Sequence, residues 1–285
     1  MRKNTLKASI RTIVVTLLLA LASAQSGRAN LVTDGTFTGV TDLSGNPSTG
    51  YGQFGPDPSS GSVATGALLK VTSWTTDGYN FVFTPGTIDG GTNSGGPNAG
   101  VPTQTGGQSP NTYMWGKNNG GTTAIPNAPG GGNIIAADGA YEVAPIQQTI
   151  SGLTVGQTYV LKFNFAGAQQ QGYTAATTEK WIVSMGTGVF AGNFSTATQS
   201  VPGMGFSGWQ TATMYFYAGS ATETLSFLAA GTPNGQPPFS LLADVDLEVV
   251  PDFSNWMVFT GFGVACILFE MMRRRRRMSA SPAAV

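Results

Sequence analysis

Three carboxylates alternate along one short stretch of the chain, Asp244, Asp246 and Glu248, and on a strand they would all face the same way. Like charges on one face repel unless a cation or a lysine answers them, so the stretch reads either as a cation site or as a solvent-facing acidic strip. Two other carboxylates, Glu142 and Glu179, would serve as acid and nucleophile of a glycosidase only if the fold brought them within about 5 to 10 Å of each other. Five aromatic residues stand beside turn residues: Trp74, Tyr79, Trp115, Tyr173 and Trp209. An exposed indole or phenol face accepts the C–H face of a pyranose ring, so these are the candidates for holding sugar; the competing use for each is packing in a core or pinning a loop. Gln169-Gln170-Gln171, just before Tyr173, supplies amides that can bond hydroxyls or simply lie in a solvated loop. Trp181 sits inside an apolar run and belongs to a core.

The missing residue types narrow the chemistry further. There is no histidine, and the sole cysteine, Cys266, lies in an apolar run near the C-terminus. Ser-His-Asp and Cys-His catalysis are excluded, as is any zinc or haem site ligated by His or Cys. No disulfide can form within the body, so its stability must come from an apolar core, for which about 220 residues suffice in one domain.

These residues must be positioned by strands. Tyr159, Leu161, Phe163 and Phe165 alternate with Lys162 and Asn164, which predicts a half-buried strand. The pattern recurs over Trp181 to Met185, in Ala212, Met214, Phe216 and Ala218, in Leu225 with Phe227, and in Leu241, Ala243, Val245, Leu247 and Val249, each set expected on one face of its strand. Turn signals separate the runs at Ser151-Gly152, Val155-Gly156, Gly203 to Gly208 and Pro233-Asn234-Gly235, and no helical period survives between residues 30 and 250. The expectation is an all-β fold, a two-sheet sandwich or jelly roll spanning 30–249. Residues 85–133, rich in Gly, Asn, Pro and Thr, predict a long loop region folded over one rim, pinned to the body by Tyr113-Met114-Trp115.

The two ends carry different messages. Arg2, Lys3, Lys7 and Arg11 precede the apolar run Ile13 to Ala24, the pattern of a secretory signal peptide over 1–29, with cleavage after Ala24 or Ala29. At the other end, Phe253 to Met272 is long enough to span a bilayer as a helix and is followed by Arg273, Arg274, Arg275, Arg276 and Arg277, which would stay cytoplasmic; residues 278–285 form a short tail. Both ends direct the body outward. Between Asn30 and Asp252 four lysines face thirteen carboxylates, a net charge of −9. Nucleic acid is a poor partner for such a surface, and cations or neutral polymers are better ones.

The order of Val250-Pro251-Asp252, the apolar run and the arginine cluster resembles the PEP-CTERM sorting signal of bacterial exported proteins in its Val-Pro-Asp form, although Phe253-Ser254-Asn255 stands where that form has a small Ser-Gly pair. The resemblance covers residues 250–277 and implies recognition by an exosortase, a membrane protease-transpeptidase, with release to the cell surface or an exopolysaccharide matrix. Within the body, Asn30 to Phe37 is similar to the opening strand of galactose-binding-like jelly rolls. Gln148 to Tyr159 is similar to their strand, tight turn and strand, and Pro238 to Val245 to their final strand. That likeness implies a carbohydrate-binding architecture, and a structural calcium ion (Ca2+) shared between Asp34 and Asp244. Three functions follow as expectations: a non-enzymatic surface or matrix protein, a carbohydrate-binding module with a defined sugar site, and a glycosidase.

Overall fold

The computed structural model describes residues 29–42, 44–47, 51–54, 69–90, 112–186 and 192–251. The signal peptide expected over 1–29 falls almost wholly outside these residues. So do Asp252, the expected spanning run, the arginine cluster and residues 91–111 of the Gly-rich region. Among the described residues no helix is long and apolar enough to cross a membrane, and the helical element found is a 3-10 turn at Lys117–Asn119.

Alternating sequence produces the strands, and two antiparallel sheets result. The six-stranded sheet runs in the order β11 (Gln210–Tyr217), β7 (Thr158–Gln169), β13 (Pro238–Val249), β5 (Ile134–Asp138), β4 (Asn80–Phe83), β2 (Gly52–Phe54). The five-stranded sheet runs β10 (Gln199–Val201), β8 (Thr177–Met185), β12 (Thr222–Thr232), β6 (Ile146–Ser151), with β9 (Gly192–Ser195) also paired to β8. A small pair, β1 (Val40–Thr41) with β3 (Lys70–Val71), stands apart. The expected two-sheet β-sandwich is what the chain forms.

One apolar cluster draws on both sheets: Tyr159, Leu161, Phe163 and Phe165 from β7 meet Trp181, Val183 and Met185 from β8 and Leu225 and Phe227 from β12. Met214, Phe216 and Ala218 join from the β11 side, so the alternation read in these runs places the inward faces correctly. The turns also form as expected, with Gly152, Gly156, Gly208 and Gly235 all at positive φ.

The last strand departs from the expected single face. Leu242, Val245 and Leu247 belong to the inter-sheet cluster, whereas Leu241 and Ala243 belong to a second cluster on the outer side of the six-stranded sheet. The cause is a bulge between Ala243 and Asp246, where Asp244 takes φ 55°. One extra residue reverses which face each later side chain takes. Asp244 Oδ2 is held there by the Gly130 N–H and the Asn164 amide, both at 2.8 Å.

The second cluster also corrects the loop region. Tyr113, Met114, Ile125 and Ala128 do not lie over a rim; they are buried with Tyr51, Phe81, Phe83, Ile134, Phe206, Phe239 and Leu241 as a third layer on the outer face of the six-stranded sheet. Met114 is bridged to Gln170, the Trp115 N–H donates to the Gln169 carbonyl, and the Gln171 N–H donates to the Tyr113 carbonyl. The expected pin at Tyr113-Met114-Trp115 is therefore present, and it closes the sheet's far end. Trp209, packed against the same layer, donates its indole N–H to the Pro126 carbonyl at 3.2 Å.

The segment expected as an opening strand folds instead as turns, with Asp34 and Phe37 at positive φ. It still lies along β13: the Leu31 N–H donates to the Leu247 carbonyl and the Val245 N–H to the Gly35 carbonyl, each at 2.9 Å. A Cβ on Gly35 would stand 1.9 Å from the Val245 carbonyl oxygen, so this approach requires glycine.

Candidate functional site

The candidate sugar aromatics separate cleanly. Trp74 is only 3% exposed, its ring tilted against Phe37 and Phe227 and its indole N–H donating to the Asp34 carbonyl; it is core and cannot offer a face to a sugar. Trp115 and Trp209 are half-buried, each with its indole N–H given to a backbone carbonyl, so both act as braces. Tyr79 and Tyr173 are brought together, and Tyr141, not singled out in the sequence, joins them.

These three tyrosines line a pocket of about 220 Å³ at one end of the sandwich. Four pieces of chain supply its wall: Tyr79 ahead of β4, Asp138, Ala140 and Tyr141 at the end of β5, Gln170 and Tyr173 after β7, and Asn234, Gly235 and Pro237 from the β12–β13 turn. The Tyr79 and Tyr141 rings meet edge to face, centroids 5.4 Å apart at 84°, and the Tyr79 hydroxyl pairs with Thr112. Tyr141 is 50% exposed and Tyr173 36%, so their faces are open to a ligand. Trp115 donates its indole N–H to the Tyr173 carbonyl at 2.5 Å.

Among the described residues, Asp138 is the single carboxylate in this wall. It is 2% exposed; Oδ1 accepts the N–H groups of Ala140 and Tyr141 at 2.8 and 3.1 Å, while Oδ2 is buried with no hydrogen-bond partner. Burial pushes its carboxyl up to about 6, against the pull of those two backbone N–H groups. The signal that could have revealed this corner is Asp138-Gly139-Ala140-Tyr141, an Asx turn directly after the apolar run Ile134 to Ala137.

The glutamine cluster is divided between two roles. Gln170 lines the pocket, but Gln169 is fully buried: its amide donates to the Ala175 carbonyl and accepts from the Met204 N–H, so the solvated loop expected there is a latch. The glycosidase pair also dissolves. Glu179 points between the sheets with the inward-facing Trp181 and Val183, 1% exposed and beyond the reach of any substrate. Glu142 lies on the segment after Tyr141, its backbone carbonyl accepting from the Tyr79 N–H, and it is not in the pocket wall.

Of the residues expected to share calcium, Asp34 has both carboxylate oxygens engaged, whereas Asp244 has Oδ2 engaged and Oδ1 buried without a hydrogen-bond partner. Both Asp34 oxygens accept from the Thr38 and Gly39 backbone, at 2.9 and 3.0 Å, and Asp244 serves the bulge. Among the described residues there is no group of three Asp, Glu, Cys or His side chains that could hold a metal ion. The acidic strip is broken by that bulge as well: Asp246 and Glu248 keep one side, and Asp246 pairs in register with Lys162. Burial first, then the Glu248 charge, pushes the Asp246 carboxyl up, and Lys162 pulls it back.

No family model and no curated protein matches this chain. Among solved structures it is similar to one described as CBM4 structure and function, at 15% identity over 49% of this chain and 87% of that one, TM-score 0.28. It is also similar to TmCBM61 in complex with β-1,4-galactotriose, at 13% identity over 44% and 75%, TM-score 0.28. A third is the N-terminal cellulose-binding domain of Cellulomonas fimi β-1,4-glucanase C, at 14% identity over 50% and 90%, TM-score 0.28. Likeness of that degree says nothing about what this chain binds.

Proposed function

We propose that this chain is an exported, non-enzymatic protein whose β-sandwich holds a carbohydrate ring in the tyrosine pocket. The observation that carries this reading is the convergence of Tyr79, Tyr141 and Tyr173 with the polar groups of Asp138, Gln170 and Asn234 in one concave site. Aromatic faces take the C–H face of a sugar, and the Gln170 and Asn234 amides bond its hydroxyls. A pocket of about 220 Å³ is smaller than the roughly 300 Å³ at which drug-sized sites begin, so it suits one ring rather than a stretch of polymer. Among the described residues of the wall Asp138 stands without a second carboxylate, which supports binding over hydrolysis by a carboxylate pair.

Glycan-array binding by the full chain tests this. Tyr141→Ala and Tyr173→Ala are expected to weaken binding about tenfold each through lost stacking. As substitutions of exposed side chains they should change stability by no more than about 0.5 kcal/mol. Absence of binding to any glycan, or binding unaffected by both substitutions, removes the reading.

The address rests on the sequence of the C-terminal segment. In this proposal Val250, Pro251 and Asp252 form the motif an exosortase-like enzyme reads, the following apolar run holds the protein in the membrane, and Arg273 to Arg277 stop its transfer. Processing would then release the sandwich to an exopolysaccharide at the surface. Replacing all three motif residues by alanine is expected to leave a heavier, membrane-retained form by mass spectrometry of cell fractions. The same mass and retention in native and variant protein would leave a plain anchor instead.

A further inference from the structure

Resting on the assignment of this pocket as a sugar site, we propose that its sugar carries a free amino group: the tyrosine pocket selects a hexosamine, its ammonium held against the exposed Tyr141 and Tyr173 rings and attracted by the Asp138 carboxylate in the same wall.

Shape gives the first argument. A neutral pyranose stacks on one flat face, but Tyr79 and Tyr141 stand nearly perpendicular, at 84° with centroids 5.4 Å apart, and Tyr173 adds another side to the same pocket. The edge of one ring meets the face of the other there, so a cation entering the pocket meets the more exposed Tyr141 and Tyr173 rings, and the negative face of each attracts it.

Charge gives the second. Asp138 Oδ2 is buried without a hydrogen-bond partner, and none of the body's lysines lines the pocket. An ionised carboxylate in such a place lacks its counter-charge, and an ammonium arriving with the ligand supplies it. The body's net charge of −9 acts in the same sense at longer range, drawing in a cationic glycan. N-acetylation of the amine cancels both attractions and adds bulk, so the same site rejects the acetylated sugar.

Dependence on pH follows with a definite sign. The titratable groups lining the pocket with Asp138 are Tyr79 ahead of β4, Tyr141 after β5 and Tyr173 after β7, and no second carboxylate is among them. With the Asp138 carboxyl pushed up to about 6, acidification to pH 5 protonates it and removes the charge that answers the ammonium.

Calorimetric titration of the full chain with glucosamine, glucose and N-acetylglucosamine at pH 7 and pH 5 tests the inference. Glucosamine is expected to bind about tenfold more tightly than either other sugar at pH 7. That preference should shrink severalfold at pH 5. Asp138→Asn should abolish the preference and its pH dependence. Tyr141→Leu, at an exposed position that does not threaten folding, should weaken glucosamine most. Equal affinity for glucose and glucosamine, or tighter binding of the N-acetyl sugar, overturns the hexosamine assignment and leaves the sugar site standing. Failure of all three sugars to bind overturns the hexosamine assignment, and the sugar site falls with it where the glycan array also shows no binding.

Discussion

Between pH 4.5 and 8 the folded chain is expected to lose about 5 kcal/mol of stability through one residue, Glu179, whose carboxyl is pushed up from 4.5 to about 8. The alternation of β8 turns Thr177, Glu179, Trp181, Val183 and Met185 inward together, so the carboxyl enters the space between the sheets. Gly167 makes room for it: a Cβ there would stand 2.5 Å from Glu179 Oε2. Burial raises the pKa, with the Thr177 hydroxyl working weakly in the other direction, and neither carboxylate oxygen finds a well-formed hydrogen bond. Below pH 4.5 both folded and unfolded chains hold the proton. As pH rises toward 8 the unfolded chain releases it and the folded chain does not, so stability falls, at 1.36 kcal/mol per pH unit, and levels off above pH 8. Asp138 adds a smaller loss of the same sign between pH 3.8 and about 6. Urea unfolding at pH 4.5, 6 and 8 measures this. Glu179→Gln should flatten the curve above pH 6 and exceed the native protein in stability at pH 8. A native protein whose stability rises over the same range would defeat the argument.

Glu179 also marks where the sequence was readable. Wherever one face of a strand is apolar and the other polar, as in β7 and β8, alternation revealed both the strand and its inward side. Glu179 itself falls on the inward side of that pattern, although its type, set beside Glu142, also fits one half of a glycosidase pair. The rule failed where both faces are covered. In β13, Leu241, Leu242 and Ala243 are apolar in succession and every residue from Pro238 to Ala243 is buried, so no alternation records the bulge at Asp244 that exchanges the faces. The third layer was hidden for a related reason: Tyr113, Met114, Ile125 and Ala128 are spread among Gly, Asn and Pro, and so few apolar residues leave no period to detect. The pocket was half visible. Tyr79 and Tyr173 stood out beside turn residues, but their meeting with Tyr141 and Asp138 depends on four separated chain segments converging, which spacing does not encode.

Trp74→Ala is expected to destabilise the protein by about 3 to 5 kcal/mol, the range for deleting a fully buried indole, and any loss of sugar binding would follow from unfolding. Trp74 sits at the meeting of three elements. Its ring lies 5.2 Å from Phe37 in the opening turns and 6.1 Å from Phe227 on β12, and Phe227 in turn meets Phe163 and Trp181 edge-on. Truncation opens a cavity beside that aromatic group, which the rigid sheets on either side cannot close. It also strips the Asp34 carbonyl of its indole partner. The adjacent Thr75 exchanges two backbone hydrogen bonds with Gln147 on β6, at 2.9 and 2.8 Å, so loosening residue 74 frees the edge of the five-stranded sheet too. Trp74→Phe keeps most of the volume and should cost about 1 to 2 kcal/mol. Urea unfolding of the two variants beside Tyr173→Ala separates core from site. The tryptophan series should lose stability in the order stated, and the exposed tyrosine should lose ligand with its midpoint nearly unchanged. A Trp74→Ala protein as stable as the native chain would mean that the indole does not anchor these turns to the sandwich.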